Sequence, residues 1–307
     1  MRSLADSVAG APAPATIPLK LGPAERGERS PTALIFLFAL WLSLAIAVVF
    51  LVVLIVNTLL QGSSMFGPNL FTEYSSSSPD RAGARPAILG SLWVIGTTAV
   101  LTLPLGIAAA VHLEEFADKK RWINRVIELN VQNLAAVPSI VYGLLALGFL
   151  TVVGVENKNI VIGGALALSL LILPVIIIAT REAIRSVPSE IRAGSLALGA
   201  TQWQTVWRQV LPSAVPGIAT GAILALSRAL GEAAPLLLLG ALVFVSFDPN
   251  GLLSGFTTMP IQIFNWTGRP QEDFRDLAAA ASIVLLAMLV LMNGLAIYIR
   301  NHYQKRW

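Results

Sequence analysis

This sequence predicts an all-α fold, a polytopic membrane protein of about six transmembrane helices, and three observations carry the prediction. Of the 307 residues, 55% are hydrophobic and only 12% are charged, half the roughly 25% charge of a soluble domain. Mean hydropathy is +0.73. Apolar runs of helix length recur along the chain, separated by short polar segments that hold most of the charge.

The elements follow in order. Residues 1–32 are polar and Ala/Pro-rich (Ala9-Gly10-Ala11-Pro12-Ala13-Pro14) without periodicity, which predicts a disordered cytoplasmic tail. The first apolar run, 33–60, is too long and too late for a cleaved signal peptide and reads as a retained membrane helix. Further spans are predicted over 88–111, 132–154, 160–180, 214–244 and 277–299, each long enough to cross a bilayer. Residues 33–300 thus form one transmembrane domain with a cytoplasmic hairpin at 182–212, and 301–307 form a short cytoplasmic tail.

Basic residues favour the cytoplasmic side and set the orientation. Placing the N-terminus inside puts Lys119, Lys120, Arg121, Arg125, Arg181, Arg185, Arg192, Arg208, Arg300, Lys305 and Arg306 inside, along with the tail's Arg2, Lys20, Arg26 and Arg29. Only Arg81, Arg85, Lys158, Arg269 and Arg275 fall outside. Both termini are therefore expected on the cytoplasmic face of a cell membrane. The loops at 61–87 and 245–276, rich in Ser, Gly, Pro and Asn, read as extracytoplasmic.

The fifth span carries the candidate site. Arg228 and Glu232 stand in its middle, in the run Arg228-Ala229-Leu230-Gly231-Glu232-Ala233-Ala234-Pro235. A charge at mid-bilayer costs about 2.5–3.5 kcal/mol on insertion scales, so such a pair needs a reason. At i,i+4 spacing the two share a helix face and can neutralise each other. Two readings stand: an ion pair that fixes helix packing, or a guanidinium whose planar donors meet an anion in transit, with Glu232 pairing with it or accepting a proton. Pro235 removes the hydrogen bond to the Gly231 carbonyl and predicts a kink beside the pair. Pro104, Pro138 and Pro174 lie inside other spans, and Gly217-x-x-x-Gly221 permits close approach of a neighbouring helix.

The inner segment before this span predicts a helical hairpin. Ser189–Leu198 forms one helix, and Gly199 suits the left-handed turn that ends it. Thr201 and Gln204 then make a capping box, and Trp203, Val206, Trp207, Val210 and Leu211 follow at helical spacing on one face. That apolar face is expected to bury against lipid headgroups or against another protein.

Several chemistries are excluded. There is no cysteine, and His112 and His302 are too far apart for a histidine metal cluster, so no metal site is expected. No P-loop, nucleophile elbow or His-Glu-x-x-His occurs, so there are no candidate catalytic residues and ATP has to be bound elsewhere. Nothing in the chain points to nucleic acid.

The hairpin carries a resemblance. The run Val187-Pro188-Ser189-Glu190-Ile191-Arg192-Ala193-Gly194-Ser195-Leu196-Ala197-Leu198-Gly199-Ala200-Thr201-Gln202-Trp203-Gln204-Thr205-Val206, closing with Val210-Leu211-Pro212, is similar to the EAA loop of binding-protein-dependent ABC permeases, which docks into an ATPase subunit. Ala193, Gly194 and Ser195 stand where the family has Glu-Ala-Ala, and Gln209 where an Ile is usual. Other segments resemble the phosphate permeases within that family. These are Pro104-Leu105-Gly106-Ile107 leading to Leu113-Glu114-Glu115, Pro138-Ser139-Ile140-Val141-Tyr142-Gly143-Leu144, the Arg228–Leu237 run, and Thr258-Met259-Pro260-Ile261-Gln262-Ile263-Phe264.

The resemblance implies a type I ABC importer permease fold and a non-enzymatic role as the membrane subunit of a phosphate importer. Arg228 and Glu232 are then the substrate-pathway residues, and Gly199, Ala200, Trp203, Val206, Trp207, Leu211 and Pro212 couple to the ATPase. It also implies a homologous second permease (PstC), two copies of an ATPase (PstB) holding ATP and Mg, and an outer phosphate-binding protein (PstS), all assembled in membrane lipid around inorganic phosphate. A proton-coupled secondary anion transporter, or an ABC permease for another oxyanion, are the alternatives. Against the first stands the absence of a second Arg-x-x-x-Glu span.

Overall fold

The computed structural model describes residues 31–118, 120–241 and 244–303; residues 1–30 of the tail predicted over 1–32, and residues 304–307, lie outside them. The described residues fall into two units, divided within the first helix after Leu54. In the first unit, residues 31–54 are one helix whose side chains are all exposed. That helix, α1 (Pro31–Gly62), already includes Pro31 and Thr32, because Pro at the first helical position loses no hydrogen bond.

The second unit is helical, and α1 ends in it at Gly62. There a Cβ would sit 2.7 Å from the Ala280 backbone nitrogen. After α2 (Pro68–Thr72) comes α3 (Arg85–Val111), which runs on through a π-helical turn at His112–Phe116. Next are α4 (Trp122–Ala135), α5 (Ser139–Val152) and α6 (Val161–Arg185). The hairpin helices α7 (Ser189–Ala197) and α8 (Gln202–Thr205) lead through a second π-helical turn, Val206–Val210, into α9 (Leu211–Leu230). The short α10 (Ala234–Leu238), α11 (Met259–Thr267) and α12 (Glu272–Tyr303) complete the chain. Among the described residues, five helices are long and apolar enough to cross a membrane, or six if the bent α4–α5 pair is one span.

Two predicted spans are not continuous. The third, expected over 132–154, breaks at Ala136–Pro138, where α4 and α5 meet at 111°. Pro138 cannot donate to the helix ladder and drives the residue before it away from helical backbone. The fifth, expected over 214–244 with a kink at Pro235, instead ends at Leu230 and restarts at Ala234. At the other end it starts earlier than predicted, since the amphipathic helix after Gly199 and the span form one helix from Gln202 to Leu230. The α6 span likewise reaches Arg185, so the hairpin begins later than residue 182.

The central helix is α6, which packs against α3, α4, α5 and α9. Lipid tails are as apolar as leucine, so helices in a bilayer associate by close packing of small residues. Here Gly217 and Gly221 of α9 face Ala183 and Ala179 of α6 so closely that an added Cβ would lie 2.7 Å and 2.5 Å from the two alanine Cβ atoms. The Gly-x-x-x-Gly spacing thus meets an Ala-x-x-x-Ala on its neighbour. One apolar cluster joins Val94, Tyr142, Leu168, Ile172, Leu236 and Phe256; a second gathers Leu70, Met259, Trp266, Phe274 and Leu277 around α11.

Candidate functional site

The fifth-span signature lies where α9 stops. The Gly231 and Glu232 amides donate to the carbonyls of Arg228 and Ala229, three residues back, so the helix tightens and ends. Pro235 then sits in the first turn of α10, where its missing N–H is harmless. Arg228 therefore occupies the last turn of α9 and Glu232 lies just beyond it. The Arg228 Nε stands 3.6 Å from Glu232 Oε1, with the side chains 47% and 21% exposed. The separation is that of an ion pair rather than a hydrogen bond. Among the described residues neither terminal guanidinium nitrogen has a hydrogen-bond acceptor, which leaves the planar fork of Arg228 available.

Glu232 borders a small cavity shared with Ser91 and Val94 of α3, Leu168 of α6, Leu236 of α10 and Thr258. The third-span motif braces this break from the other side. A Cβ on Gly143 would lie 2.5 Å from the Pro235 carbonyl oxygen, so only glycine lets α5 rest on the backbone of α10. The neighbouring Tyr142 is buried, and its hydroxyl donates to the Leu134 carbonyl at the end of α4, tying the two arms of the broken span together. On α9, the Ser227 hydroxyl donates to Asn293 Oδ1 of α12 at 2.6 Å. Sequence reasoning did not assign Gly143 or Asn293 here, because each owes its place to a helix far away in the chain.

The hairpin has the local geometry its sequence predicts. Gly199 has φ +85°, in the left-handed region, and the Thr201 hydroxyl accepts from the Gln204 amide while the Gln204 side chain accepts from the Thr201 amide. The predicted single apolar face, however, divides in two. Val206 and Val210 are buried, 1% and 0% exposed, in a cluster with Val111, Ala183, Ile184 and Val187. Val206 thus cannot reach a partner chain, because α3 and α6 have already covered it. Trp203 and Trp207 remain 59% and 50% exposed, with ring centroids 5.4 Å apart, and Phe116 lies 5.7 Å from Trp203. Gly199 and Pro212 are exposed, and Ala200 and Leu211 partly so.

Charged contacts fix the hairpin to the helix ends around it. The Arg192 guanidinium donates to Glu115 at 2.7 Å and to the carbonyls of Ile184 and Val187. The Gln202 side chain donates to the Glu115 carbonyl. Deeper, the buried Arg181 bridges Glu114 of the first π-helical turn at 3.2 Å and Glu128 of α4 at 2.7 Å, and Arg185 also reaches Glu114 at 3.0 Å. The buried Glu114 carboxylate is thereby satisfied by two guanidinium groups, while Glu128 keeps access to water. The sequence showed these charges only as a basic inner side; their pairing came from the fold.

Comparison with known proteins agrees with this layout. The chain is 33% identical over 262 residues to the "Probable ABC transporter permease protein YqgI" of Bacillus subtilis (strain 168), covering 81% of this chain and 88% of that one. It is 34% identical over 219 residues to "Phosphate transport system permease protein PstA 1" of Mycobacterium tuberculosis (strain ATCC 25618 / H37Rv), covering 71% and 70%. The fold matches a solved bacterial ABC transporter involved in the import of the acidic polysaccharide alginate, with TM-score 0.64 at 18% identity over 88% of this chain and 96% of that one. The model of the binding-protein-dependent transport system inner membrane component matches residues 102–307, which takes in the hairpin, both halves of the broken fifth span and the last helix, and the chain belongs to that family.

Proposed function

We propose that this chain is the counterpart of the PstA permease, the membrane subunit of an ATP-driven importer of inorganic phosphate. Arg228 and Glu232 stand in the path of the anion. The exposed Trp203–Trp207–Phe116 surface, with Gly199, Ala200, Leu211 and Pro212, engages a separate ATPase. A second permease of the PstC kind, two PstB-like ATPases carrying ATP and Mg, and an outer PstS-like binding protein complete the assembly, with both termini of this chain on the cytoplasmic side of the inner membrane. As domains, residues 33–300 form the permease body.

One observation carries the reading of the path. A guanidinium that merely fixed packing would be buried with its donors used, as Arg181 is; Arg228 is half exposed at a helix break with both terminal nitrogens free, and has one carboxylate at ion-pair distance. When the path is empty Glu232 offsets part of the charge, and an arriving phosphate competes for the fork.

The test is uptake per assembled transporter in proteoliposomes. Arg228→Gln should abolish uptake without loss of assembly, Arg228→Lys should restore only part of it because a point charge lacks the fork, and Glu232→Gln should lower uptake. Wild-type uptake by both Arg228→Gln and Glu232→Gln would remove the assignment. Uptake driven by a proton gradient without ATP would favour a secondary transporter.

A further inference from the structure

The outer-loop motif Thr258–Phe264 lies outside the Arg228–Glu232 pair and the hairpin, and its polar side chains are placed unusually. Of the nine buried side-chain nitrogen and oxygen atoms without a hydrogen-bond partner among the described residues, six belong to residues 257–266. Five of these six lie on Thr258, Gln262, Asn265 and Trp266, and Gln262 contributes both its amide nitrogen and its oxygen. These four positions are i, i+4, i+7 and i+8, so they form one narrow stripe along α11. Thr258, Gln262 and Trp266 are 3%, 1% and 0% exposed.

Isolated unpaired polar atoms occur in many proteins, but a buried amide left unpaired loses its hydration without compensation, and a stripe of them on one face calls for a partner. The flanks of the stripe are apolar and well packed. Ile261 on one side belongs to the central cluster and Met259 on the other belongs to the cluster around Phe274, so the polar stripe runs along the seam between the two. At one end Thr258 borders the same cavity as Glu232, a space with room for about one water. At the other end α11 emerges at the exposed Thr267 and Gly268.

From this we infer that the α11 stripe is a file of internally bound water joining Glu232 to the aqueous surface at the α11–α12 end, opposite the hairpin. The mixture of donors (Gln262 Nε2, Trp266 Nε1), acceptors (Gln262 Oε1, Asn265 Oδ1) and the Thr258 hydroxyl suits water, which both donates and accepts. A phosphate would not fit the space beside Thr258. The file keeps Glu232 hydrated and lets its carboxyl exchange a proton. A proton that Glu232 takes from passing dihydrogen phosphate, leaving hydrogen phosphate, moves on to the adjacent water and leaves at the surface as hydronium, and the restored carboxylate pairs again with Arg228. Arg228 is the charged group beside Glu232; the lining residues from α3, α6, α10 and the start of α11 are Ser91, Val94, Ile95, Leu168, Leu236 and Thr258, none of which titrates in the working range. Tyr142 lies beyond, in the same apolar cluster as Leu230 and Leu236. The purpose of the file rests on the pathway reading of Glu232, but its existence does not.

Hydration is measurable without transport. Millisecond X-ray pulses applied to the assembled transporter in lipid nanodiscs make hydroxyl radicals from bound water, and mass spectrometry locates the oxidised side chains. Trp266 is expected to oxidise several-fold faster than the equally buried Phe256 and Phe274, and Gln262→Leu, which removes both unpaired amide atoms at similar volume, should bring Trp266 down to their rate. Oxidation of Trp266 no faster than of the two phenylalanines, or unchanged by Gln262→Leu, would overturn the file. Uptake separates the two readings. If Glu232→Gln transports normally while Trp266 still oxidises fast, the pathway role fails and the file stands; if Glu232→Gln loses uptake and Trp266 is protected, the file alone fails.

Discussion

The left-handed turn of the hairpin can be tested with little steric ambiguity. Gly199 has φ +85°, and a Cβ built on it meets no atom within 4 Å. Any loss on substitution therefore comes from the backbone, where a left-handed conformation costs an ordinary L-residue about 1–2 kcal/mol. That is roughly a 5–30-fold shift in the equilibrium between the closed hairpin and its opened forms. Gly199→Val should show the full cost, and Gly199→Asn much less, since asparagine enters the left-handed region several-fold more readily. Deuterium exchange of α7 and α8 in the assembled transporter reads the local equilibrium directly. ATP hydrolysis stimulated by phosphate and its binding protein reads the coupling. Faster exchange and weaker stimulation are expected in the order glycine, asparagine, valine. If valine exchanges like the wild type, or asparagine is as damaging as valine, the turn does not hold the hairpin and the reasoning fails.

Three further outcomes follow from contacts already described. Gly221→Ala puts a methyl 2.5 Å from the Ala179 Cβ and should cost about 1–3 kcal/mol of thermal stability in detergent, while the double variant with Ala179→Gly, which removes the atom in the way, should recover most of it. Arg181→Ala removes one guanidinium from the buried Glu114, which keeps Arg185, and the partner of the part-exposed Glu128, so the melting temperature should fall by the equivalent of about 1–3 kcal/mol; Arg181→Lys should rescue only part, having one point of contact where the fork makes two. Trp203→Ala and Trp207→Ala should leave the fold intact, because both are exposed, yet weaken ATPase retention on a pull-down; Val206→Asp, at a buried position, should instead lower the yield of folded protein.

The sequence by itself determined whatever depends on a residue and its near neighbours. Long apolar runs without charge have one stable form in a bilayer, so the membrane class and five of the helices were legible in composition and length. The Gly199 turn and the Thr201–Gln204 capping box were legible as well, since both are closed by atoms within a few residues. The i,i+4 spacing of Arg228 and Glu232 also brought the two within ion-pair distance, even though the helix ends between them. Only the tertiary structure decided where that helix ends: proline marks a place where the ladder is weak, and whether the chain bends or breaks there depends on what fills the gap, here α5 resting on Pro235 through Gly143. The same holds for the hairpin stripe. Helical spacing made Trp203 and Val206 equivalent, and the packing of α3 and α6 buried Val206 and left the tryptophans exposed. The unpaired face of α11 and the Arg181 network were equally invisible, because a hydrogen bond or its absence is a property of two atoms brought together by the fold, and periodicity reports only one of them.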